Sequence, residues 1–461
     1  MGVHDGWISH PKEQPMRVAV VGTGHVGLIT CVSMAAIGHS VIGVDVDEEK
    51  IEMLKMGRCP FYEPGLEELL IRAMSEERLS FTSDIGEAAR SAEIVFICVG
   101  TPARLNGEAN LLAVEDSARA VARDAAPGTI VVEKSTVPAG TANRVRLVLD
   151  QERPDLRGEL EVVSNPEFLR EGSAMEDALF PERVLIGAAS DKAFTVMSDL
   201  YGPIIDRGTE LIETDIPTAE LAKHACNAFL AMKISYVNGL ARICELAGAD
   251  VMDVAKVMGS DPRIGPYFLN AGLGYGGFCF PKDLVAFERL ADRLGYEFPL
   301  LGAVARINDE AIDNALGKIR DALWNLEGKR VALLGLSFKP ETDDIRFSPA
   351  LELASRLIAE GVEVIGYDPE AAANAKEELP ALTIAEDAYA AVSGAHCVVL
   401  ATEWAEFSSL DLNQVRDLMI HPIVIDGRNA LDPEAVHAAG LHYHPTGRPS
   451  VPARTVESQP A

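Results

Sequence analysis

Apolar residues fall in two rhythms along this chain. Short apolar blocks bounded by glycine or acid alternate with stretches in which apolar positions return every three or four residues, the pattern of parallel strands covered by helices. The first block, MRVAVV, runs into GTGHVG (Met16 to Gly27), and a helix-like stretch follows to Gly38 before a second block, SVIGVDVD. AEIVFICVGTP then ends at Thr101 and Pro102, and GTIVVEKSTVPAGT carries Ser135 and Thr136. Farther on the rhythm restarts with RVALLG to VEVIGYD (Arg330 to Asp368), then CVVLAT and PIVIDGRN. The pattern predicts an α/β protein with two Rossmann-like, doubly wound parallel-sheet domains.

A helical stretch separates them. From Thr218 to Gly248 the sequence has no internal proline, a threonine placed to cap the start and a glycine at the end. Such a helix spans roughly 45 Å, long enough to join two domains. Its apolar positions occupy several faces, which predicts burial on more than one side and a homodimer. The expected organisation is a polar tail (1–15), a dinucleotide-binding domain (16–213), a central helical and dimerisation domain (214–315), a second Rossmann-like domain (316–445) and a tail (446–461).

Strand, GxGxxG and helix together mark a dinucleotide site. Gly22, Gly24 and Gly27 let the backbone approach a pyrophosphate at the helix N-terminus, where His25 and Val26 also lie. Asp45 stands about twenty residues farther on, where an acid accepts a ribose 2′-hydroxyl and repels a 2′-phosphate, so NAD is expected over NADP. Thr101, Ser135 and Thr136 close the next strands, where ligands of open sheets sit. The second domain opens on LSFKPETDDIR without GxGxxG, which predicts a different ligand. Lys339, Arg346 and Arg428 supply cations that can meet phosphates there.

Charge narrows the choice of partner. Forty-one basic against seventy acidic residues leave 461 residues at −29, with no basic stripe, so nucleic acid and anionic membrane are not expected partners. No apolar run reaches spanning length and the first fifteen residues hold no hydrophobic signal core, which predicts a cytoplasmic protein. The seven cysteines are scattered without a CxxC pair, against both a disulfide framework and a metal site.

One of them stands in GYGGFCFPKD, Gly274 to Asp283. Cys279 reads as a buried apolar residue, as a redox sensor, or as a nucleophile toward carbonyl carbon. The glycines and the acid four places on favour the nucleophile. Lys223 and Asn227 are also four apart and share a helix face; alone, they read equally as a solvated lysine and a capping asparagine. SNPEFLREGSA adds Glu167 and Glu171, one of which is suited to activate water. A thiol beside a hydride acceptor suggests oxidation of an aldehyde through a thiohemiacetal to a thioester.

Taken together, GTGHVG, YEPGL, EKSTVPAGT, SNPEFLREGSA, AELAKHACNAFLAMKIS, RIGPYFLNAGLGYGGFCFPKD, LGLSFKPETDDIR and DGRN resemble the nucleotide-sugar dehydrogenases, the UDP-glucose/GDP-mannose dehydrogenase family, over about residues 16 to 445. The resemblance implies a four-electron oxidation of a sugar C6 alcohol to a carboxylate, with two NAD⁺ reduced in turn and Cys279 as nucleophile. It gives Lys223 and Asn227 to the oxyanions, Asp283 and Thr136 to a water that assists proton removal, and Glu167 to the hydrolytic water. Glu171 is expected to bind, on the substrate or cofactor side, and Arg346 to reach the cofactor. Phe168, Leu169, Phe268, Asn270, Gly276, Phe280, Lys339 and Arg428 match substrate-binding positions, with Lys223 among them. Arg263 matches an arginine that reaches the neighbouring subunit's substrate. NAGLGYGG is closer to the UDP-glucose branch than to the GDP-mannose or UDP-N-acetylhexosamine branches. A two-electron β-hydroxyacid dehydrogenase would need neither Cys279 nor a second nucleotide domain, and a non-catalytic NAD-sensing scaffold would need none of these groups. One position departs from the family: most relatives read GGSCF, and here Phe278 replaces the small hydroxyl residue beside the thiol.

Overall fold

The computed structural model describes residues 15–104 and 106–449. Apart from Pro15 and residues 446–449, the two expected tails lie outside the described residues. The chain resolves into two compact units, one running through Cys226 and taking in Val285–Gly295, the other made of Asn227–Leu284 and the residues from Tyr296 onward.

The first unit is built on β1 (Arg17–Val21), β2 (Ser40–Val44), β3 (Leu79–Thr82), β4 (Ile94–Ile97), β5 (Ile130–Glu133), β6 (Glu161–Ser164), β7 (Arg183–Gly187) and β8 (Glu210–Thr214). Their order in the sheet is β3-β2-β1-β4-β5-β6-β7-β8. The order of strands reverses beside β1, which runs parallel to both its neighbours, and Val21 lies level with Val44 on one side and Ile97 on the other. That register opens the ligand crevice of a doubly wound sheet at the carboxyl ends of β1 and β4. Covering both faces explains why β1 reads as an unbroken apolar run: Val18 and Val20 enter one core with Leu28 and Val32, Ala19 and Val21 the other with Val121 and Val145. The sheet departs from the wholly parallel expectation at one place. β7 pairs antiparallel with β6, because the connection between them carries only the six-residue helix Ala174–Leu179 and returns the chain instead of crossing it over.

The second unit repeats the plan with β9 (Arg330–Leu334), β10 (Glu363–Tyr367), β11 (Thr383–Ile384), β12 (Cys397–Leu400), β13 (Ile423–Asp426) and β14 (His442–Pro445), in the order β11-β10-β9-β12-β13-β14 and parallel throughout. Val331 and Leu333 face one core, Ala332 and Leu334 the other.

The long helix is Ile216–Ala247, 32 residues and about 48 Å. It begins before the expected cap. Asp215 accepts the Thr218 N–H at 2.8 Å, so the carboxylate of Asp215 caps the helix and Thr218 lies inside the first turn. Gly248 ends it at φ +71°. Among the described residues no helix is long and apolar enough to cross a membrane, and no cluster of side chains is placed to hold a metal ion.

Candidate active site

In the first unit the glycine turn has the shape of a dinucleotide cradle. A Cβ on Gly22 would lie 2.7 Å from the Cys98 carbonyl oxygen and one on Gly27 would lie 1.8 Å from that of Gly22, whereas a Cβ on Gly24 would meet nothing within 4 Å. The outer glycines are thus demanded by the chain itself, and the middle one leaves room for a ligand at the N-terminus of the helix His25–Ala36. That helix carries no acid in its first turn. The His25 ring lies 4.7 Å from that of Phe61, tilted by 37°, and its Nε2 lies 3.4 Å from Glu63. Val26 continues the turn.

Asp45 directly follows β2. Its Oδ2 accepts from the Thr23 N–H and hydroxyl at 2.9 Å each and from Lys50 Nζ at 3.0 Å. Burial pushes its pKa up, but the N–H groups of Thr23 and Asp47 and the side chains of Lys50 and Thr23 outweigh burial and hold it below the ordinary aspartate value. An ionised acid at this place suits a ribose diol. Lys50, which no motif pointed to, is held on it. These residues fit NAD.

At the ends of β4 and β5 the Thr101 hydroxyl donates to the Thr136 carbonyl at 2.9 Å, and the Ser135 hydroxyl donates to Val99 O at 2.8 Å. Glu167 is buried. Its Oε2 accepts from Leu169 N–H at 2.6 Å and its Oε1 lies 3.0 Å from Lys223 Nζ. Lys223, equally buried, also lies 5.3 Å from the centre of the Phe168 ring, which carries Arg183 at 4.2 Å as well. A carboxylate and a π face thus replace the water a buried ammonium gives up. The loop bearing Glu171, which is half-buried, is tied down by Glu63 of the YEPGL segment, whose oxygens accept from Gly172 N–H at 2.8 Å and Ala174 N–H at 2.7 Å. The motif named YEPGL without revealing this task, which joins two loops far apart in sequence.

In the second unit Cys279 is the first residue of the helix Cys279–Arg293. It is the one exposed cysteine of the seven. Burial pushes the Cys98 thiol up to about 12 and raises those of Cys31 and Cys397, which leaves them inert. The helix N-terminus favours negative charge at position 279. Asp283, one turn along and 1% exposed, accepts from Asn227 Nδ2 at 2.6 Å through one oxygen and from Lys282 Nζ at 2.7 Å through the other. Lys282 escaped the sequence reading, since a lysine next to an aspartate carries no spacing signal.

The glycines before the thiol have a cause inside the unit. A Cβ on Gly276 would lie 2.3 Å from the Phe347 carbonyl oxygen, and Gly277 donates its N–H to Arg346 O at 2.9 Å. The close approach read from this loop is therefore made by the loop after β9. Arg346 grips Asp344 with its guanidinium and lies 4.5 Å from the centre of the Phe278 ring. Arg428 donates to the carbonyls of Ala401, Gly274 and Phe338 at 2.8, 3.3 and 3.2 Å, which braces both loops. Lys339 lies over Phe338 at 5.6 Å. Phe280 meets Tyr275 edge-on at 5.8 Å and Phe268 at 6.2 Å, with Phe268 at φ +63°. Asn270 is exposed, and Arg263 is exposed and forked onto Asp261.

Three consecutive family models match the chain. They are the NAD-binding domain of the UDP-glucose/GDP-mannose dehydrogenase family over residues 16–205, its central domain over 217–310 and its UDP-binding domain over 332–433. The UDP-glucose 6-dehydrogenase YwqF of Bacillus subtilis is 41% identical over 437 residues, 95% of this chain and 98% of that protein. A solved UDP-glucose dehydrogenase from Pyrobaculum islandicum superposes with a TM-score of 0.87 at 38% identity, over 95% of this chain and 99% of its own. A UDP-D-ManNAc dehydrogenase from Pyrococcus horikoshii gives 0.82 at 28% identity, over 94% and 99%.

Proposed function

This chain belongs to the UDP-glucose/GDP-mannose dehydrogenase family, and we propose from that premise how its residues oxidise the C6 alcohol of UDP-glucose to the carboxylate of UDP-glucuronate. It is an NAD-dependent oxidoreductase. UDP-glucose is favoured over an N-acetylated sugar because the relatives named for it are 41% and 38% identical, against 28% for the UDP-D-ManNAc enzyme.

The observation that carries the mechanism is the placement of Cys279, an exposed thiol opening a helix, with Asp283 one turn on and bonded to Asn227. NAD, held at Gly22, Gly24, Gly27 and Asp45 with His25, Val26, Thr101, Ser135, Glu171 and Arg346 around it, supplies a hydride acceptor. Asp283 and Thr136 hold the water that takes the proton of the C6 alcohol as hydride leaves. The Cys279 sulfur then adds to the aldehyde carbon, and the oxyanion so formed is met by Lys223 and Asn227, donors one helical turn apart. Loss of a second hydride from this oxyanion, to a second NAD⁺ that would take the place of the reduced one, leaves a thioester. Glu167 draws a proton from water, which attacks the thioester carbon and expels the thiolate.

Phe168, Leu169, Glu171, Phe268, Asn270, Gly276, Phe280 and Lys339 bind the UDP-sugar in this reading. Arg428 contributes by holding the Gly274 and Phe338 loops. Phe229, Tyr236 and Ile243 recur every seven residues on the long helix and are 58%, 55% and 61% exposed. A stripe of that spacing fits a second copy of the chain, with Arg263 turned to the partner's substrate. The active form is then a cytoplasmic homodimer of three-part subunits, 16–213, 214–315 and 316–445.

Counting NADH per UDP-glucose consumed tests the reaction. Two are expected; a single NADH would mean an aldehyde product and a different task for the thiol. Cys279→Ser should bind UDP-glucose without net turnover.

A further inference from the structure

Phe278 stands next to the nucleophile, and its ring takes two cations. The Lys282 ammonium lies 5.4 Å from the ring centre and the Arg346 guanidinium carbon 4.5 Å. Lys282 is 8% exposed and bonds an Asp283 that is 1% exposed. An ammonium so far removed from water needs compensation from more than one direction. One carboxylate oxygen of Asp283 supplies part of it, and the negative face of an aromatic ring supplies another. The second oxygen of Asp283 holds the Asn227 amide at 2.6 Å, so slack in Lys282 passes along the chain of bonds to Asn227. Arg346 is fixed from a different side, by its fork on Asp344 and by its carbonyl, which accepts the N–H of Gly277 immediately before the ring.

We propose that Phe278 is a positioning residue of the reaction: its ring face holds Lys282 against Asp283, and so sets the Asn227 amide and the Asp283 carboxylate that serve the chemistry at Cys279, while it also anchors Arg346. The inference rests on the roles given above to Cys279, Asn227 and Asp283. Phe278 itself makes and breaks no bond. An aliphatic side chain of similar bulk fills the same space but offers a cation nothing, which separates the ring's electrostatics from its volume.

The experiment compares Phe278→Tyr, Phe278→Leu and Phe278→Met, with Lys282→Met and the Phe278→Leu/Lys282→Met double variant, as full chains. kcat and KM are read for UDP-glucose and NAD, and folding is followed by thermal circular dichroism. Leu and Met at 278 should each lower kcat about tenfold, in the range of a partly desolvated cation–π contact, with KM for UDP-glucose within about twofold. Tyr, which keeps the ring, should stay near the parent. In the Lys282→Met background Phe278→Leu should cost kcat nothing further, and the lost Arg346 anchor should show only in KM for NAD. Two aliphatic variants keep the test standing if one fails to fold. Full kcat in both would overturn the proposal; so would an equal loss in Tyr and Leu, which would make shape the cause, or kcat losses that multiply in the double variant. Cys279→Ser in the same assay separates the two levels. Normal NADH production there sinks the mechanism beneath the proposal, whereas an inactive Cys279→Ser beside a normal Phe278→Leu sinks the Phe278 role alone.

Discussion

Asp45 and Glu133 are both carboxylates at strand ends, and their surroundings drive them in opposite directions. Asp45 is held ionised with Lys50 on it. Replacing it with alanine removes the acceptor for a ribose hydroxyl and releases a lysine toward a 2′-phosphate. The ratio of kcat/KM for NAD over NADP should therefore fall by about tenfold or more, as expected for loss of a charge-assisted hydrogen bond. An unchanged ratio would refute the assignment. Glu133 is 1% exposed at the end of β5, and neither carboxyl oxygen makes a well-formed hydrogen bond. Burial raises its pKa from 4.5 to about 8, with Ser135 offsetting part of this and the charge of Glu220 adding to it. Above pH 4.5 the unfolded chain releases this proton while the folded chain keeps it up to about 8, so stability falls across that window. Glu133→Gln should flatten the fall, and melting curves should separate the two proteins most at pH 8 and above and least near pH 4.5. At this scale GTGHVG, Asp45, Cys279 and Asp283 stand out in the sequence because each sits in a spacing with a mechanism. Glu63, Lys50 and Lys282 do not, because their tasks are defined by the partners they reach.

Helices and strands tell a similar story in their boundaries. The long helix is plain in the sequence from its length, its lack of any proline beyond Pro217 and the glycine that stops it, yet Thr218 looks as good a cap as Asp215 until the bond to the Thr218 N–H is seen. Asp215→Ala should destabilise by about 1 kcal/mol in chemical denaturation, and Thr218→Ala by clearly less. The turn of direction at β7 had no signature, since a buried antiparallel pair and a buried parallel pair read as the same apolar run. The exposed stripe on the long helix carries its own test. Tyr236→Glu, alone or with Phe229→Glu, should yield monomers in sedimentation while leaving the far-ultraviolet spectrum intact, and an unaltered sedimentation coefficient would remove the stripe from the interface.

Across the whole molecule the two sheets share an order of strands and a local device. In each, an acid just past the second strand reaches back to the loop after the first: Asp45 to Thr23, Asp368 to Ser337. The copies have diverged in what remains available to a ligand. Asp368 is 2% exposed and accepts from Leu336, Ser337, Trp404, Glu370 and Ala371. Asp368→Ala should therefore unfold the second unit more readily, by about 3 kcal/mol or more from stranded buried donors, instead of changing ligand choice. The echo of RVAVVG in RVALLG made the repeat legible; the internal use of Asp368 was hidden, because the bonds that consume it come from a tryptophan and loop amides with no fixed spacing.

The chain's path also bears on inheritance. It leaves the first unit at Cys226 and returns to it for Val285–Gly295, in the middle of the cysteine helix, before leaving again. No single crossover between two genes of this kind can then exchange one unit and leave the other whole. A recombinant joined anywhere after Cys226 and before Val285 would pair one parent's first sheet with another parent's strip of the same unit. New sugar preferences in such a lineage are therefore expected to arise by substitution within the loops, or by replacement of the whole gene, and chimeras built with one junction should fold poorly wherever the parents differ along Val285–Gly295.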